Sequence, residues 1–178
     1  MIGKKSDMNK IGYYIAKIIY KLSKNHEAVS NFYRGGGVKI GKNVIICGYM
    51  RMSEPFLIEI KDDCVISSGV SFITHDHSIN KVISDKSNLF GKIEIGNNCF
   101  IGQGATLLYG VTLADHIIVA SGSVVTKSFT DNRVIIAGNP AKVIGTWDQF
   151  GAKYKALAMN RNELANIQKG DERKLVHR

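Results

Sequence analysis

The sequence predicts an all-β solenoid with a helix at each end. First, branched aliphatic residues recur every six positions through the central part of the chain. Second, residues 8 to 24 carry aliphatic side chains at helical spacing, and a polar stretch of helical character follows the central region. A strict period of six suits neither a helix, with its period of about 3.6, nor an ordinary strand, with its period of about 2. Short strands joined by tight corners into a coil produce such a period, with the recurring aliphatic pointing inward.

The recurrence has two interruptions. Its members are Ile40, Ile46, Met52, Ile60, Ile66, Phe72, Ile95, Ile101, Leu107, Leu113, Val119 and Val125. The step of eight from Met52 to Ile60 predicts a two-residue bulge at a corner, around the segment "EPF". The step of 23 from Phe72 to Ile95 predicts an excursion loop over residues 74 to 92.

The predicted organisation is a helical cap over residues 1–35, a β-helix over 36–145, and a helix with a frayed tail over 146–178. The first helix carries Ile11, Ile15, Ile18 and Leu22 at helical spacing, with lysines between them. Its expected role is to cover the open end of the solenoid. The alternative is docking on a membrane surface through its lysines and tyrosines.

Composition limits the classes of function. The 178 residues contain no apolar run near the roughly 18 residues that span a bilayer. No cleaved signal is recognisable, so a cytoplasmic protein is expected. The three cysteines have no close CxxC spacing and are expected to be reduced and buried. A net charge of +9 suits an anionic partner, but no nucleic-acid-binding signature accompanies it, so no nucleic-acid partner is predicted.

Two segments carry a resemblance to a known family. The stretches "IGNNCFIGQGATLLYGVTLADHIIVASGSVVTK" and "AGNPAKVIG" resemble the hexapeptide-repeat acyltransferases. The similarity is to the sugar O-acetyltransferase branch, which includes maltose and galactoside acetyltransferases and polysaccharide-modifying relatives, and it covers residues 38 to 145. The resemblance implies a left-handed parallel β-helix and a homotrimer with active sites between subunits.

The segment "SFITHDHSIN" places His75, Asp76 and His77 where the recurrence stops. From the residues alone, the histidines could be metal ligands, a catalytic base or solvated loop residues. A metal is disfavoured because a third ligand is hard to find: the related zinc-binding coils have histidines where this chain has Gln103 and Tyr109. We therefore expect no metal.

The resemblance implies that His75 is a general base, because the family's catalytic histidine begins this loop. The group that would orient its imidazole is not identified by the sequence. His77 is a candidate for substrate binding, for a subunit boundary, or for no chemical role.

The family's coenzyme positions carry over one by one. The resemblance implies that acetyl coenzyme A is the co-substrate, with Gln103 and Ser121 facing its pantetheine arm. Thr126 and Lys127 would meet the coenzyme further along, and Lys142 its phosphates. Phe100 stands where the family often has tryptophan, and it would pack against the coenzyme or fill a contact between chains.

These observations predict an acetyl coenzyme A dependent O-acetyltransferase that modifies a hydroxyl of a sugar or glycan precursor. The alternative within enzymes is N-acetyl transfer to an aminosugar nucleotide or an antibiotic. The alternative from another class is a β-helix scaffold without catalysis. The amino-terminal segment does not match the family's acceptor-binding segment, which makes a glycan, sugar nucleotide or lipid-linked saccharide a better acceptor than a free maltose- or galactoside-like sugar.

Overall fold

The computed structural model describes residues 10–23, 27–160, 163 and 175–176. Two units divide the chain, Met1–Ile144 and Gly145–Arg178. The helices are α1 (Lys10–Ser23), α2 (Glu27–Gly35) and α3 (Trp147–Tyr154). The strands are β1 (Lys39–Ile40), β2 (Ile45–Ile46), β3 (Arg51–Met52), β4 (Ile58–Ile60), β5 (Val65–Ile66), β6 (Ser71–Ile73), β7 (His75–Asp76), β8 (Leu89–Phe90), β9 (Ile93–Ile95), β10 (Phe100–Ile101), β11 (Thr106–Leu108), β12 (Thr112–Leu113), β13 (Ile118–Val119), β14 (Val124–Val125), β15 (Val134–Gly138) and β16 (Ala141–Thr146).

Within the described residues, three sheets form the sides of a β-helix, and strands from successive coils pair in parallel in each of them. Sheet 1 has the strand order β1-β4-β9-β12, and sheet 2 has the order β16-β15-β13-β10-β5-β2. Sheet 3 has the order β14-β11-β6-β3. From β1 to β6 and from β9 to β14, consecutive strands fall in different sheets and pair with strands about one coil away, as a solenoid requires.

The six-residue recurrence becomes three columns of side chains inside the coil. Strand register stacks the members as Ile40, Ile60, Ile95 and Leu113; as Ile46, Ile66, Ile101 and Val119; and as Met52, Phe72, Leu107 and Val125. All are buried except Ile40 and Met52, which are half-buried in the first coil, where only one coil lies alongside. The solenoid prediction is therefore confirmed.

The corners between sheets 1 and 2 share a left-handed backbone. Positive φ angles recur at Asn43, Asp63, Asn98, His116 and Arg133, one in each successive coil. Neighbouring polar side chains cross-link the coils at this corner, where each accepts from a backbone N–H of the coil beside it. These bonds run from Lys42 N to Asp62 Oδ1, Asp62 N to Asn97 Oδ1, and Asn97 N to Asp115 Oδ1.

Both interruptions of the recurrence have a structural cause. A 3₁₀ turn, Pro55–Leu57, inserts the extra residues before β4. Strands β7 and β8 pair in antiparallel fashion, His75 opposite Phe90 and Asp76 opposite Leu89, and so form the base of a loop that leaves and rejoins the coil.

Two helices precede the first coil, and they contact it in different ways. Helix α2, which was not separately predicted, lies directly on the coil: Ser30 Oγ donates to Val44 O over 3.0 Å, and Met50 N donates to Tyr33 Oη over 2.8 Å. Helix α1 packs through Tyr13, whose ring lies 6.2 Å from that of Tyr33. The cap is therefore built in two layers.

Helix α1 buries the side opposite the one that the sequence pattern emphasised. Tyr13 and Ala16 are buried, whereas the aliphatic series beginning at Ile11 is exposed. The physical reason is that Tyr13 joins an aromatic cluster with Tyr33 and Tyr49, which fixes the rotation of the helix.

The second unit contains α3, which starts at a capping box. Thr146 Oγ1 accepts from Gln149 N over 3.3 Å, and Gln149 Oε1 accepts from Thr146 N over 3.0 Å. Most of the predicted frayed tail lies outside the described residues. In the part of the chain that the structure describes, no helix is long and apolar enough to cross a membrane.

Candidate active site

The excursion loop leaves the coil at Thr74, directly after the inward-facing Phe72 and the outward-facing Ile73. Thr74 is buried, and its carbonyl oxygen accepts from Gly91 N over 3.1 Å where the loop returns. A Cβ on Gly91 would lie 2.4 Å from Gly110 N, so only glycine lets the returning chain pass this close to the next coil. The two ends of the loop are thus joined beside His75 and hold it at the base of the loop.

Glu54 is the partner of the predicted base. His75 Nδ1 lies 2.8 Å from Glu54 Oε2, and their side chains are 34% and 22% exposed. Thr74 Oγ1 donates to the same carboxylate oxygen and accepts from Glu54 N over 3.4 Å. The carboxylate is therefore itself held in place by a buried hydroxyl.

This arrangement selects one tautomer of His75. When Nδ1 carries the proton and donates it to Glu54, the lone pair resides on Nε2. A base held in this way can accept a proton at Nε2, and the carboxylate stabilises the imidazolium that results. Glu54 supplies the orienting group that the sequence did not identify.

The adjacent carboxylate, Asp76, has a different role. Its Oδ1 accepts from Ser78 N over 2.8 Å, and Tyr109 Oη donates to its Oδ2 over 3.1 Å. Hydrogen bonds from Ser78, and to a smaller extent from Tyr109, hold the pKa of Asp76 below its usual value. The hydrogen bond to Asp76 raises the pKa of Tyr109. Asp76 consequently ties the loop to the next coil.

His77, the second histidine, is exposed and directly precedes a 3₁₀ turn, Ser78–Lys81. Its carbonyl oxygen accepts from Asn80 N over 3.2 Å within that turn. The suggested part of His77 in substrate binding stays a prediction.

Two of the predicted coenzyme residues share an edge with His75. We call the corner where the strands of sheet 3 end, at Thr74, Tyr109 and Thr126, the histidine edge. Thr126 and Lys127 are exposed there, two coils beyond Thr74, and Lys127 Nζ lies 5.6 Å from the centroid of the Phe129 ring. A flexible ammonium at this edge is available to an anionic ligand.

Gln103 and Ser121 stack on each other at a different corner, between sheets 2 and 3, which we call the glutamine edge. Both are exposed, and Gly122 N donates to Gln103 O over 2.8 Å. A Cβ on Gly102 would meet Ser121 N at 2.5 Å, so glycine allows these coils to approach. Four of the six predicted coenzyme residues therefore divide between two edges of one chain.

Phe100 lies on the outer face of sheet 2 and is 41% exposed. Register places it in an outward row of apolar side chains: Ile45, Val65, Phe100, Ile118 and Ile135. Lys142 lies on β16 with its side chain exposed. The coenzyme roles assigned to these residues stay predictions.

The other reactive side chains include potential metal ligands and three thiols. Among residues 10–23, 27–160, 163 and 175–176, no three His, Cys, Asp or Glu side chains converge as metal ligands. Cys64 and Cys99 are buried, as expected. Cys47 is exposed, contrary to expectation, because it follows the inward residue Ile46 and so faces outward.

Fold and repeat together define a class of protein. The model of the family "Bacterial transferase hexapeptide (six repeats)" matches residues 92–127. A solved hexapeptide-repeat acetyltransferase from Vibrio cholerae O1 biovar eltor, complexed with acetyl coenzyme A, is 20% identical with a TM-score of 0.60, over 77% of this chain and 86% of that one. This likeness shows the same fold, and the predicted left-handed β-helix is confirmed.

Sequence relatives extend over more of the chain. Protein CapG of Staphylococcus aureus is 40% identical over 143 residues, which are 77% of this chain and 81% of the relative. Galactoside O-acetyltransferase of Escherichia coli (strain K12) is 29% identical over 114 residues, which are 64% of this chain and 56% of the relative. The chain belongs to the hexapeptide-repeat acyltransferases, as its two motif segments predicted.

Proposed function

We propose that the chain is an acetyl coenzyme A dependent O-acetyltransferase that modifies a hydroxyl of a sugar or glycan precursor. The observation that carries the proposal is the 2.8 Å contact between His75 Nδ1 and Glu54 Oε2 at the base of the loop. The relative named galactoside O-acetyltransferase supports transfer to a hydroxyl.

In the proposed reaction, His75 Nε2 takes the proton of the acceptor hydroxyl as that oxygen attacks the thioester carbonyl carbon. A carbon–oxygen bond forms, and the carbon–sulfur bond breaks. The imidazolium then returns the proton to the departing thiolate. General base assistance of this kind is typically worth about a hundred- to ten-thousandfold in rate, and Glu54 is the positioning residue.

The donor site would use both edges. Lys127 at the histidine edge and Lys142 on β16 supply positive charge for phosphates, while Gln103 and Ser121 at the glutamine edge suit the amide-bearing pantetheine arm. Because these groups lie on two edges of one chain, we propose that the active site lies between subunits of a homotrimer. The histidine edge of one protomer would face the glutamine edge of its neighbour.

The outward row of sheet 2 supports such an assembly. Ile45 and Phe100 at its exposed positions are each 41% accessible to solvent in the single chain. The equivalent row of sheet 1 carries Lys39, Glu59 and Glu94 instead. A neighbour on sheet 2 would bury an apolar surface beside the glutamine edge.

The test is acetyl transfer by the purified chain to a panel of sugar hydroxyls, sugar nucleotides and matched amino sugars, with the acetylated product identified by mass. A cytoplasmic reaction is proposed with it, so cytosolic sugar nucleotides belong in the panel. If coenzyme release is followed with a thiol reagent, a Cys47→Ser variant removes an exposed thiol that would add to the signal. Product on amino groups alone would replace the proposal with N-acetyl transfer, and no product and no coenzyme binding would refute it.

A further inference from the structure

Helix α1 presents an exposed aliphatic face that the proposed chemistry does not use. The isoleucine face, defined as Ile11, Ile15, Ile18 and Leu22, is between 53% and 83% exposed. At about 100° per residue, these four side chains fall within an arc of about 60°. They are the largest exposed aliphatic group on a single element of the described residues.

The rest of the helix fixes how this face is presented. Tyr13 and Ala16, on the opposite side, are buried against the body of the first unit. The Tyr13 ring packs 5.6 Å from Tyr49 and 6.2 Å from Tyr33, centroid to centroid. The helix therefore cannot turn its aliphatic side inward without losing this aromatic cluster.

The charges on α1 indicate what covers the isoleucine face. Lys10 and Lys21, which we call the lysine row, lie about 20° apart along one flank of the face. Lys17 lies beside them, but its ammonium reaches back to 5.7 Å from the centroid of the buried Tyr13 ring. The helix, KIGYYIAKIIYKLS, contains no acidic residue. An apolar face bordered by lysines is the pattern of a helix that lies in the interface of an anionic bilayer. A second copy of the chain is less suitable, because its lysine row would add positive charge to a protein that already carries +9.

We propose that α1 docks the protein on an anionic phospholipid surface, with the isoleucine face in the acyl boundary and the lysine row among the phosphates. The helix would lie parallel to the surface, since its back is fixed to the first coil through Tyr13. Docking of this kind is independent of the proposed acetyl transfer. It would bring the catalytic domain close to an acceptor carried by a lipid.

Vesicle flotation of the full chain tests the proposal. Phosphatidylcholine vesicles with and without phosphatidylglycerol are compared at low and high salt. Binding is expected only with phosphatidylglycerol, and it should weaken at high salt. Ile15→Ser/Ile18→Ser should weaken binding at least tenfold, whereas Val82→Ser, which removes another highly exposed aliphatic, should leave it unchanged.

Substitution of two lysines gives a second, independent test of the proposal. Lys10→Gln/Lys21→Gln should reduce binding about twentyfold, and the matched Lys42→Gln/Lys61→Gln only about twofold. The oligomeric mass without vesicles should be the same for all variants, as should the acetyl transfer rate with a water-soluble acceptor. Absence of wild-type binding would overturn the proposal. Dissociation of an oligomer by Ile15→Ser/Ile18→Ser would also overturn it, by assigning the face to a contact between copies.

Discussion

Replacing Glu54 by alanine tests how the site holds His75, the proposed base. The substitution removes the carboxylate that accepts from His75 Nδ1 over 2.8 Å, and with it the acceptor of the Thr74 hydroxyl, so stability is measured together with activity. Without this acceptor, His75 samples both tautomers and more than one ring orientation. We expect the turnover number to fall and the coenzyme affinity to stay the same.

The magnitude follows from the exposure of the pair. A hydrogen bond to a charged group contributes about 1.5–3 kcal/mol, and partial exposure of both side chains, 34% and 22%, favours the lower half of that range. At about 1.36 kcal/mol per factor of ten, 1.5–2 kcal/mol corresponds to a loss of about ten- to thirtyfold in kcat. Glu54→Gln should lose less, since its amide oxygen can still accept from Nδ1.

The assay is steady-state kinetics at saturating coenzyme, with a melting curve and coenzyme calorimetry on the same preparations. Glu59→Ala is the matched control, because it removes a carboxylate on the next strand, β4, whose ion pairs are with Lys39 and Lys92 and not with His75. A kcat within twofold of wild type for Glu54→Ala would refute the positioning role. A fall in kcat that is matched by lost melting temperature or coenzyme affinity would assign Glu54 a structural role instead.

Four further outcomes are expected. His75→Ala should lower kcat about a hundred- to ten-thousandfold with an unchanged Kd for coenzyme A. A loss of coenzyme affinity without a fall in kcat would contradict the role of His75 as general base. Lys142→Ala should raise that Kd about two- to fivefold at low salt and less at high salt, and equal effects at both would argue against a phosphate contact. Gly102→Ala should lower the free energy of unfolding by about 1–3 kcal/mol, since its Cβ meets the Ser121 backbone at 2.5 Å, whereas Gly35→Ala has open space and should not destabilise. Hydrogen bonds from Asn97 hold the pKa of Asp115 below its usual value, so the ionised carboxylate stabilises the fold at a pH above the unfolded pKa of about 3.9, and this stabilisation is lost as the pH falls through the folded pKa. The free energy of unfolding of Asp115→Ala should therefore be lower than that of wild type at neutral pH, and the difference should shrink in acid. A difference that stays constant across pH would contradict this expectation.

The interior of the solenoid was predictable because it depends on a local repeat. Each recurring aliphatic, such as Ile95 or Leu107, must enter the coil, and the period of six admits no other regular element. Handedness was not predictable from that period, and it came from resemblance. The corners were only partly predictable, since non-glycine residues such as Asp63 and His116 adopt the left-handed backbone there.

The partner of His75 was harder to find because the pairing connects two coils. Glu54 is 21 residues away in the chain, and the extra residues of the Pro55–Leu57 turn hide the alignment of its coil with the next. Strand register provides the missing signal: Met52 pairs with Phe72, so two residues further on Glu54 falls beside Thr74. The neighbour in sequence, Asp76, bonds Tyr109 instead because successive residues of an extended strand point to opposite sides.

The rotation of α1 escaped prediction for a different reason. Hydrophobic spacing identifies an apolar face but does not say whether that face meets the core. Here the aromatic contacts of Tyr13 with Tyr33 and Tyr49 outweigh the aliphatic series that includes Ile15. The same uncertainty applies to Cys47, whose outward position follows from strand register rather than from its apolar character.

The central proposal is that His75, at the mouth of the loop, removes the proton from an acceptor hydroxyl. The most direct measurement is the rate at which the purified protein transfers the acetyl group of acetyl coenzyme A to a sugar hydroxyl, compared for wild type, His75→Ala and His77→Ala. We expect transfer by wild type, retention of most of that rate by His77→Ala, and a loss of at least about a hundredfold in His75→Ala. Equal rates for wild type and His75→Ala would contradict it.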